Sequence, residues 1–227
     1  AMTYDVVNAR TLLFGGGSSS LASSRDDQTW AFDGVDWTQL APTASPPARS
    51  HAVMAWDQSS STALLFGGRD ANGFFGTGLN DTWVFDGTTW TELFPATVPP
   101  VFDYASMDYD VYRARVVLLG FSTSTGTLVF EWNGLDWTDV TPASIPANRS
   151  STITYDLLRS RMVLFSGRQG LTMAPADTWE YDGVQCRERL TAAVPPARTG
   201  GAIVYDVWRQ RCILFGGFSQ PFTTRGD

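Results

Sequence analysis

The 227-residue chain is 43% apolar and carries a net charge of −7, and all 16 of its basic residues are arginine. That charge repels a phosphate backbone, which argues against nucleic acid as a partner. No apolar run approaches the roughly 18 residues of a membrane-spanning helix. Two cysteines, Cys186 and Cys212, and one histidine make neither a disulfide framework nor a zinc set, so no metal and no cofactor is expected.

The first residues, AMTYDVV, have no basic start and no apolar stretch, so no signal peptide is expected there and the compartment stays open. From this point the chain repeats itself. LLFGG at 12–16 returns as LLFGG at 64–68, VLLGF at 117–121, VLFSG at 163–167 and ILFGG at 213–217. The fourth residues of these segments are separated by 52, 53, 46 and 50 positions. A period near 50 residues signals a repeat architecture.

The second copy shows the plan most clearly. Strand a lies in PPARSHAVMAWD (46–57) and, after a short polar link, strand b in TALLFGG (62–68). A variable loop (69–80) leads to strand c in DTWVFDG (81–87) and strand d in TTWTEL (88–93). Each apolar piece is short, rich in β-branched and aromatic residues, and bounded by Gly, Pro, Asp or Ser, which is a strand signal. A c–d hairpin is predicted at Asp33-Gly34, Asp86-Gly87, Asn133-Gly134 and Asp182-Gly183, because glycine tolerates the positive φ of such turns.

Strand a ends in an aromatic–Asp pair in all five copies: Tyr4-Asp5, Trp56-Asp57, Tyr109-Asp110, Tyr155-Asp156 and Tyr205-Asp206. An arginine follows five residues later in four of them, at Arg10, Arg115, Arg161 and Arg211, with Thr62 the exception. The predicted role is an Asx-capped turn with an ion pair across it. An aromatic residue stands seven ahead of each strand-d tryptophan (Trp30/Trp37, Trp83/Trp90, Phe130/Trp137), and Trp179 stands ahead of Cys186. These rings are expected to fill the roughly 10 Å between neighbouring sheets. The diglycine after strand b is expected where a Cβ would collide with neighbouring backbone.

An apolar strand closing on Gly-Gly, as Phe66-Gly67-Gly68 does, followed by the Trp83–Trp90 spacing, resembles the kelch repeat. The resemblance covers nearly the whole chain. It implies an all-β β-propeller of four-stranded antiparallel blades, as a single domain over 1–227. The blades fall near 4–40, 49–93, 102–140 and 149–190, with a half blade at 198–217. It also implies a ligand face built from the d–a and b–c loops. The third copy departs from the pattern, with VLLGF in place of the diglycine and Phe102 where other copies have arginine. About four and a half blades leave three ways to complete the array: a longer chain, pairing of its two ends, or a second copy. Unpaired sheet edges invite the last.

No catalytic constellation is present, so a non-catalytic binding module for a protein or peptide is expected, with two alternatives. One is a carbohydrate-binding or carbohydrate-active protein; the other is an architectural repeat that self-associates. Arg49, Arg149 and Arg198 open strand a in three copies. They form either a ring of guanidinium groups for an acidic ligand or a scaffold device that bonds loop carbonyls. His51 is either a ligand contact near the channel mouth or an ordinary polar residue. The b–c loops differ between copies and are the candidates for specificity. Two of them start at Arg69 and Arg168, and Phe74 and Phe75, flanked by glycines, offer either a contact patch or rings folded onto the blade edge.

Overall fold

The computed structural model describes the chain apart from residues 18–23, 73–75, 148, 170–171, 174, 220–222, 225 and 227. Two compact units emerge: Ala1–Phe102 with Trp132–Trp137, and Asp103–Glu131 with Thr138–Asp227. Among the described residues no helix is long and apolar enough to cross a membrane.

The first unit holds two antiparallel sheets. One runs β1 (Met2–Asp5), β2 (Arg10–Gly17), β3 (Arg25–Phe32) and β4 (Trp37–Leu40) in spatial order. In the other, strand a is split into β5 (Arg49–Ser50) and β6 (Val53–Asp57). Both pieces pair with β7 (Thr62–Asp70), followed by β8 (Gly78–Phe85) and β9 (Trp90–Leu93). A third sheet orders β10 (Tyr104–Asp110), β11 (Arg115–Ser122), β12 (Gly126–Trp132) and β13 (Trp137–Asp139). The tip of its β12–β13 hairpin belongs to the first unit.

In the second unit a fourth sheet follows β14 (Ser150–Asp156) and β15 (Arg161–Gln169) with β16 (Thr172–Met173), β17 (Thr178–Tyr181) and β18 (Cys186–Arg189). β16 pairs only with the end of β15. The chain then forms the pair β19 (Ala202–Asp206) and β20 (Arg211–Phe215), and a small hairpin, β21 (Phe218–Ser219) with β22 (Thr223–Thr224). The predicted a-b-c-d order therefore recurs four times, with a two-stranded fifth copy.

The a–b turns keep the Asx cap but correct the predicted ion pair. Asp5 accepts from the backbone N–H of Val7 and Asn8, and Arg10 Nε donates to its Oδ2 at 3.0 Å, as expected. In the third, fourth and fifth copies the carboxylate instead takes the arginine three residues on. Arg113 Nε bonds Asp110 and Arg159 Nε bonds Asp156, each at 2.7 Å, and Arg209 Nη1 bonds Asp206 at 2.8 Å. Arg115 and Arg161 turn back onto the carbonyls of Ala114 and Ser160. The turn explains the change: its fifth residue is left-handed in every copy, with φ between 50° and 56° at Ala9, Ser61, Ala114, Ser160 and Gln210. This tight turn folds its fourth residue, three beyond the aspartate, back beside it, so its N–H and its guanidinium reach the same carboxylate. In the first copy that place holds Asn8, whose Nδ2 bonds Asp5 at 2.8 Å and leaves room for Arg10.

The diglycines sit in β-bulges, where the b–c register shifts between Phe14 and Gly16 and between Phe66 and Gly68. At Gly68, φ is 101° and an added Cβ would lie 2.6 Å from the Ser50 carbonyl oxygen, so the predicted collision and a left-handed backbone act together. The third copy, without a diglycine, pairs β10 with β11 over seven residues in unbroken register.

Packing between sheets repeats as the aromatic pattern predicts. Trp90 of the second sheet lies 4.9 Å from the Phe14 ring of the first, and its Nε1 donates to Thr29 Oγ1 at 3.0 Å. Trp137 repeats this on the second sheet, 5.7 Å from Phe66 and bonded to Thr82 Oγ1 at 3.0 Å. Leu12, Phe14, Met54, Trp56, Leu65 and Phe85 complete the buried cluster in the first unit. In the second unit the tryptophan position is Cys186, and the positions matching Phe and Thr are Leu119 and Val129, buried in the same cluster. When the ring is lost its socket changes with it: no hydroxyl is kept without a donor to meet it. Burial raises the Cys186 thiol to about 12. Cys212 is half-buried.

Candidate functional site

The recurrent arginines point inward. Arg49 is buried; its Nε donates to the Pro47 carbonyl and Nη1 to the Gly67 carbonyl, both at 3.0 Å. Nη1 and Nη2 hold the two oxygens of Asp81 at 2.7 and 2.8 Å. Asp81 Oδ2 also accepts from Trp83 Nε1 at 2.7 Å. Arg149 repeats the clamp on Asp177, with Nη2 to Oδ2 at 3.0 Å and Trp179 Nε1 donating to the same oxygen at 2.9 Å. Its guanidinium lies 5.9 Å from the Trp179 ring centre. Arg198, also buried, donates to the carbonyls of Pro196 and Gly216. Carbonyl bonding, the scaffold role weighed for these residues, is what the guanidinium groups of Arg49 and Arg198 do, while that of Arg149 holds the Asp177 carboxylate. The aspartate of the clamp is legible in hindsight as an Asp two residues before a Trp, at 81/83 and 177/179.

Burial works against ionisation of Asp177, but the bonds from Arg149 and Trp179 outweigh it and hold the carboxyl below its ordinary value. A lowered native pKa contributes stability that is present above the unfolded value and disappears as pH falls through the native one. Asp177→Asn should therefore flatten the acid side of the stability–pH curve relative to wild type, read as denaturation midpoints between neutral pH and about pH 3.

The loop end of the first unit holds a different group. The second sheet's strand a breaks after Ser50, and His51 takes φ 59°, where the fifth copy has Gly200 at φ 67°. A side chain in the left-handed region is uncommon and marks a position worth functional attention. His51 is exposed, with Nδ1 2.9 Å from Ser50 Oγ, and that hydroxyl accepts from Arg25 Nε at 2.7 Å. Arg25 Nη1 donates to the Asp70 carbonyl, and Ser50 pairs with Arg69 across β5 and β7. Arg25 and His51 thus meet at one hydroxyl, and the charge of Arg69, on the paired strand, acts on the same imidazole. The His51 pKa is lowered, first by partial desolvation and then by the charges of Arg25 and Arg69.

The Asp70 carboxylate closes the following loop, accepting from the N–H of Asn72 at 3.0 Å and of Thr77 at 2.6 Å. Arg25 was not singled out by sequence, since nothing local to it repeats. Phe74 and Phe75 lie outside the described residues, as does the Arg168 side chain; the Arg168 backbone pairs with Ser150. Among the described residues no three His, Cys, Asp or Glu side chains gather as a metal site.

No family model matches the chain, and no curated protein matches it. Among solved structures it is similar to a chain from the "Crystal structure of Nidogen/Laminin Complex", with a TM-score of 0.56 at 12% identity. The match covers 94% of this chain and 74% of that one. That neighbour is a β-propeller, and together with the repeated four-stranded antiparallel sheets it shows the fold as an all-β β-propeller.

Proposed function

We propose that this chain is a non-catalytic, kelch-type interaction module whose b–c and d–a loops take an acidic segment of a protein partner at the Arg25–His51–Arg69 cluster. The observation that carries this reading is the meeting of Arg25 and His51 at the Ser50 hydroxyl, beside the Ser50–Arg69 strand pair; that pair recurs as Ser150–Arg168, but with Ser151 in place of the histidine. The recurrent arginines brace the strand ends of their own blades, and variation between copies gathers at the loop end, which is where a scaffold leaves specificity free to change. A guanidinium pair recognises carboxylates well. A cationic cluster on a chain of net charge −7 favours a local acidic segment over nucleic acid. The similar propeller belongs to a protein–protein complex, which agrees with an interaction role. Phe74 and Phe75, which follow Arg69 in the sequence of this b–c loop, are the apolar residues assigned to the partner contact in this reading.

The test is titration of a fluorescent oligo-glutamate peptide onto the wild-type chain and onto Arg25→Ala, His51→Ala and Phe74→Ala/Phe75→Ala variants. Binding that weakens at least tenfold in Arg25→Ala, and falls steeply with salt, supports the reading. Equal binding by all variants, or none by wild type, rejects it.

A further inference from the structure

The a–b turns share one backbone plan, but their tips differ. After the capping aspartate come Val111-Tyr112 in the third copy and Leu157-Leu158 in the fourth, against Gln58-Ser59 in the second. The second turn still has its cap, Asp57 accepting from the Ser59 N–H at 2.9 Å, and its left-handed fifth residue, Ser61 at φ 56°. The turn therefore folds without apolar side chains at its tip. Nor do the apolar pairs fill a core: Tyr112 is 82% and Leu158 61% exposed. The c–d hairpin of the fourth copy repeats the contrast, with Val184 78% exposed where the second copy has Thr88. The third and fourth copies have further copies before and after them in the chain, so their open tips belong to the middle of the array.

Within the second unit these tips share one face. The strands leading into them run in step: the Ile153 N–H donates to Ser106 Oγ at 3.1 Å and the Tyr155 N–H to Asp108 Oδ2 at 2.8 Å. Each donor stands one residue from the position equivalent to its acceptor, so the two turns reach the same level. They are also tied together, the Tyr112 N–H donating to the Tyr155 hydroxyl at 3.4 Å. The Asp182-Gly183 hairpin closes over Arg113, where an added Cβ at Gly183 would lie 2.6 Å from the guanidinium carbon, and this sets Val184 beside the Tyr112 turn. Charge is layered here. The carboxylates paired with Arg113 and Arg159, namely Asp110, Glu131, Asp156 and Glu180, are all buried, and Asp182 caps its own hairpin. Arg159 is exposed above them, and Arg115 and Arg161 turn onto the carbonyls of Ala114 and Ser160 and keep their charge at the turn.

We propose that this turn end of the second unit docks on an anionic lipid surface. Tyr112, Leu158 and Val184 enter the headgroup layer, and Arg115, Arg159 and Arg161 meet lipid phosphates. Level apolar tips with guanidinium groups between them fit a flat, fluid, negatively charged surface. A tyrosine ring suits headgroup depth, and arginine binds phosphate there. One tip holds weakly, but several on one rigid face act together. None of these residues belongs to the Arg25–His51–Arg69 cluster, so either site can fail alone.

Cosedimentation tests it, with vesicles of phosphatidylcholine alone and of phosphatidylcholine containing about 30% phosphatidylserine. Wild type should sediment with the anionic vesicles, stay in solution with the neutral ones, and release as salt rises. The variant Val111→Gln/Tyr112→Ser/Leu157→Gln/Leu158→Ser gives both turns the residues with which the second copy already folds. Its melting temperature should match wild type while its partition coefficient falls roughly tenfold or more. Val184→Thr, copying Thr88, should lower partitioning by a smaller factor, and Arg25→Ala should bind as wild type does. The proposal is overturned by a wild type that ignores anionic vesicles, by equal binding of the turn variant, or by loss of binding in Arg25→Ala. A wild type that ignores vesicles but doubles its mass, with the doubling lost in the turn variant, would assign this face to a second copy instead.

Discussion

Trp90→Ala is expected to lower stability by ~3–5 kcal/mol, the range for a large buried aromatic replaced by a methyl group. Three losses combine. The indole leaves a cavity between the first two sheets, where it contacts Phe14 at 4.9 Å and Phe85 at 5.0 Å. Thr29 Oγ1, itself buried, loses its donor. The hydrophobic cluster of the first unit also loses its largest shared ring. The Thr29 part can be separated: Thr29→Val alone strands the indole N–H and should cost about 1–2 kcal/mol. With Trp90 already alanine, the same change should cost much less, because the hydroxyl no longer has a partner to lose. Trp37→Ala at the equivalent but exposed position should cost under ~1 kcal/mol in the single chain. Urea denaturation of the four variants decides the matter. Equal losses at Trp90 and Trp37 would mean that the ring stabilises its own sheet and not the junction.

Arg49→Ala should be nearly as damaging, at ~3–5 kcal/mol, since removing one member of a buried pair leaves the other uncompensated. The guanidinium serves four acceptors at once: the Pro47 and Gly67 carbonyls and both oxygens of Asp81. The Gly67 carbonyl belongs to the bulge that ends strand b, and Asp81 also orients Trp83, so one deletion disturbs the start of strand a, the end of strand b and the start of strand c. Arg49→Lys keeps a charge for Asp81 but supplies a point donor in place of the planar fork, and should recover only part of the loss. Denaturation midpoints of the two variants are the measurement. A loss below ~1 kcal/mol for Arg49→Ala would show that the clamp is an incidental surface contact and would return this arginine to the ligand-binding candidates.

How much of this was legible beforehand depended on how local the cause was. The hairpins at Asp33-Gly34, Asp86-Gly87, Asn133-Gly134 and Asp182-Gly183 all form as read. In each, the Asp or Asn side chain caps two following N–H groups and the glycine has a φ between 95° and 102°. Two adjacent residues are enough to specify that turn. The a–b ion pair was half legible. The aspartate was right, but the choice between Arg113 and Arg115 depended on a left-handed residue between them that no composition rule announces.

The sequence by itself determined the period, the four-strand unit, the turn chemistry and the tryptophan seats, because alternation along a strand and capping within a turn act over a few neighbouring residues. Tertiary structure decided which charges meet. Arg49 finds Asp81 across 32 residues, and Arg25 finds Ser50 across 25. Those partners are chosen by the bulge at Gly67-Gly68, which offsets strands b and c, and by the break in strand a at His51, which together bring residues remote in sequence to one place. Hydrogen bonds reach only about 3 Å, so a register shift of one residue, invisible in the order of amino acids, is enough to assign a guanidinium to the scaffold or leave it at the loops.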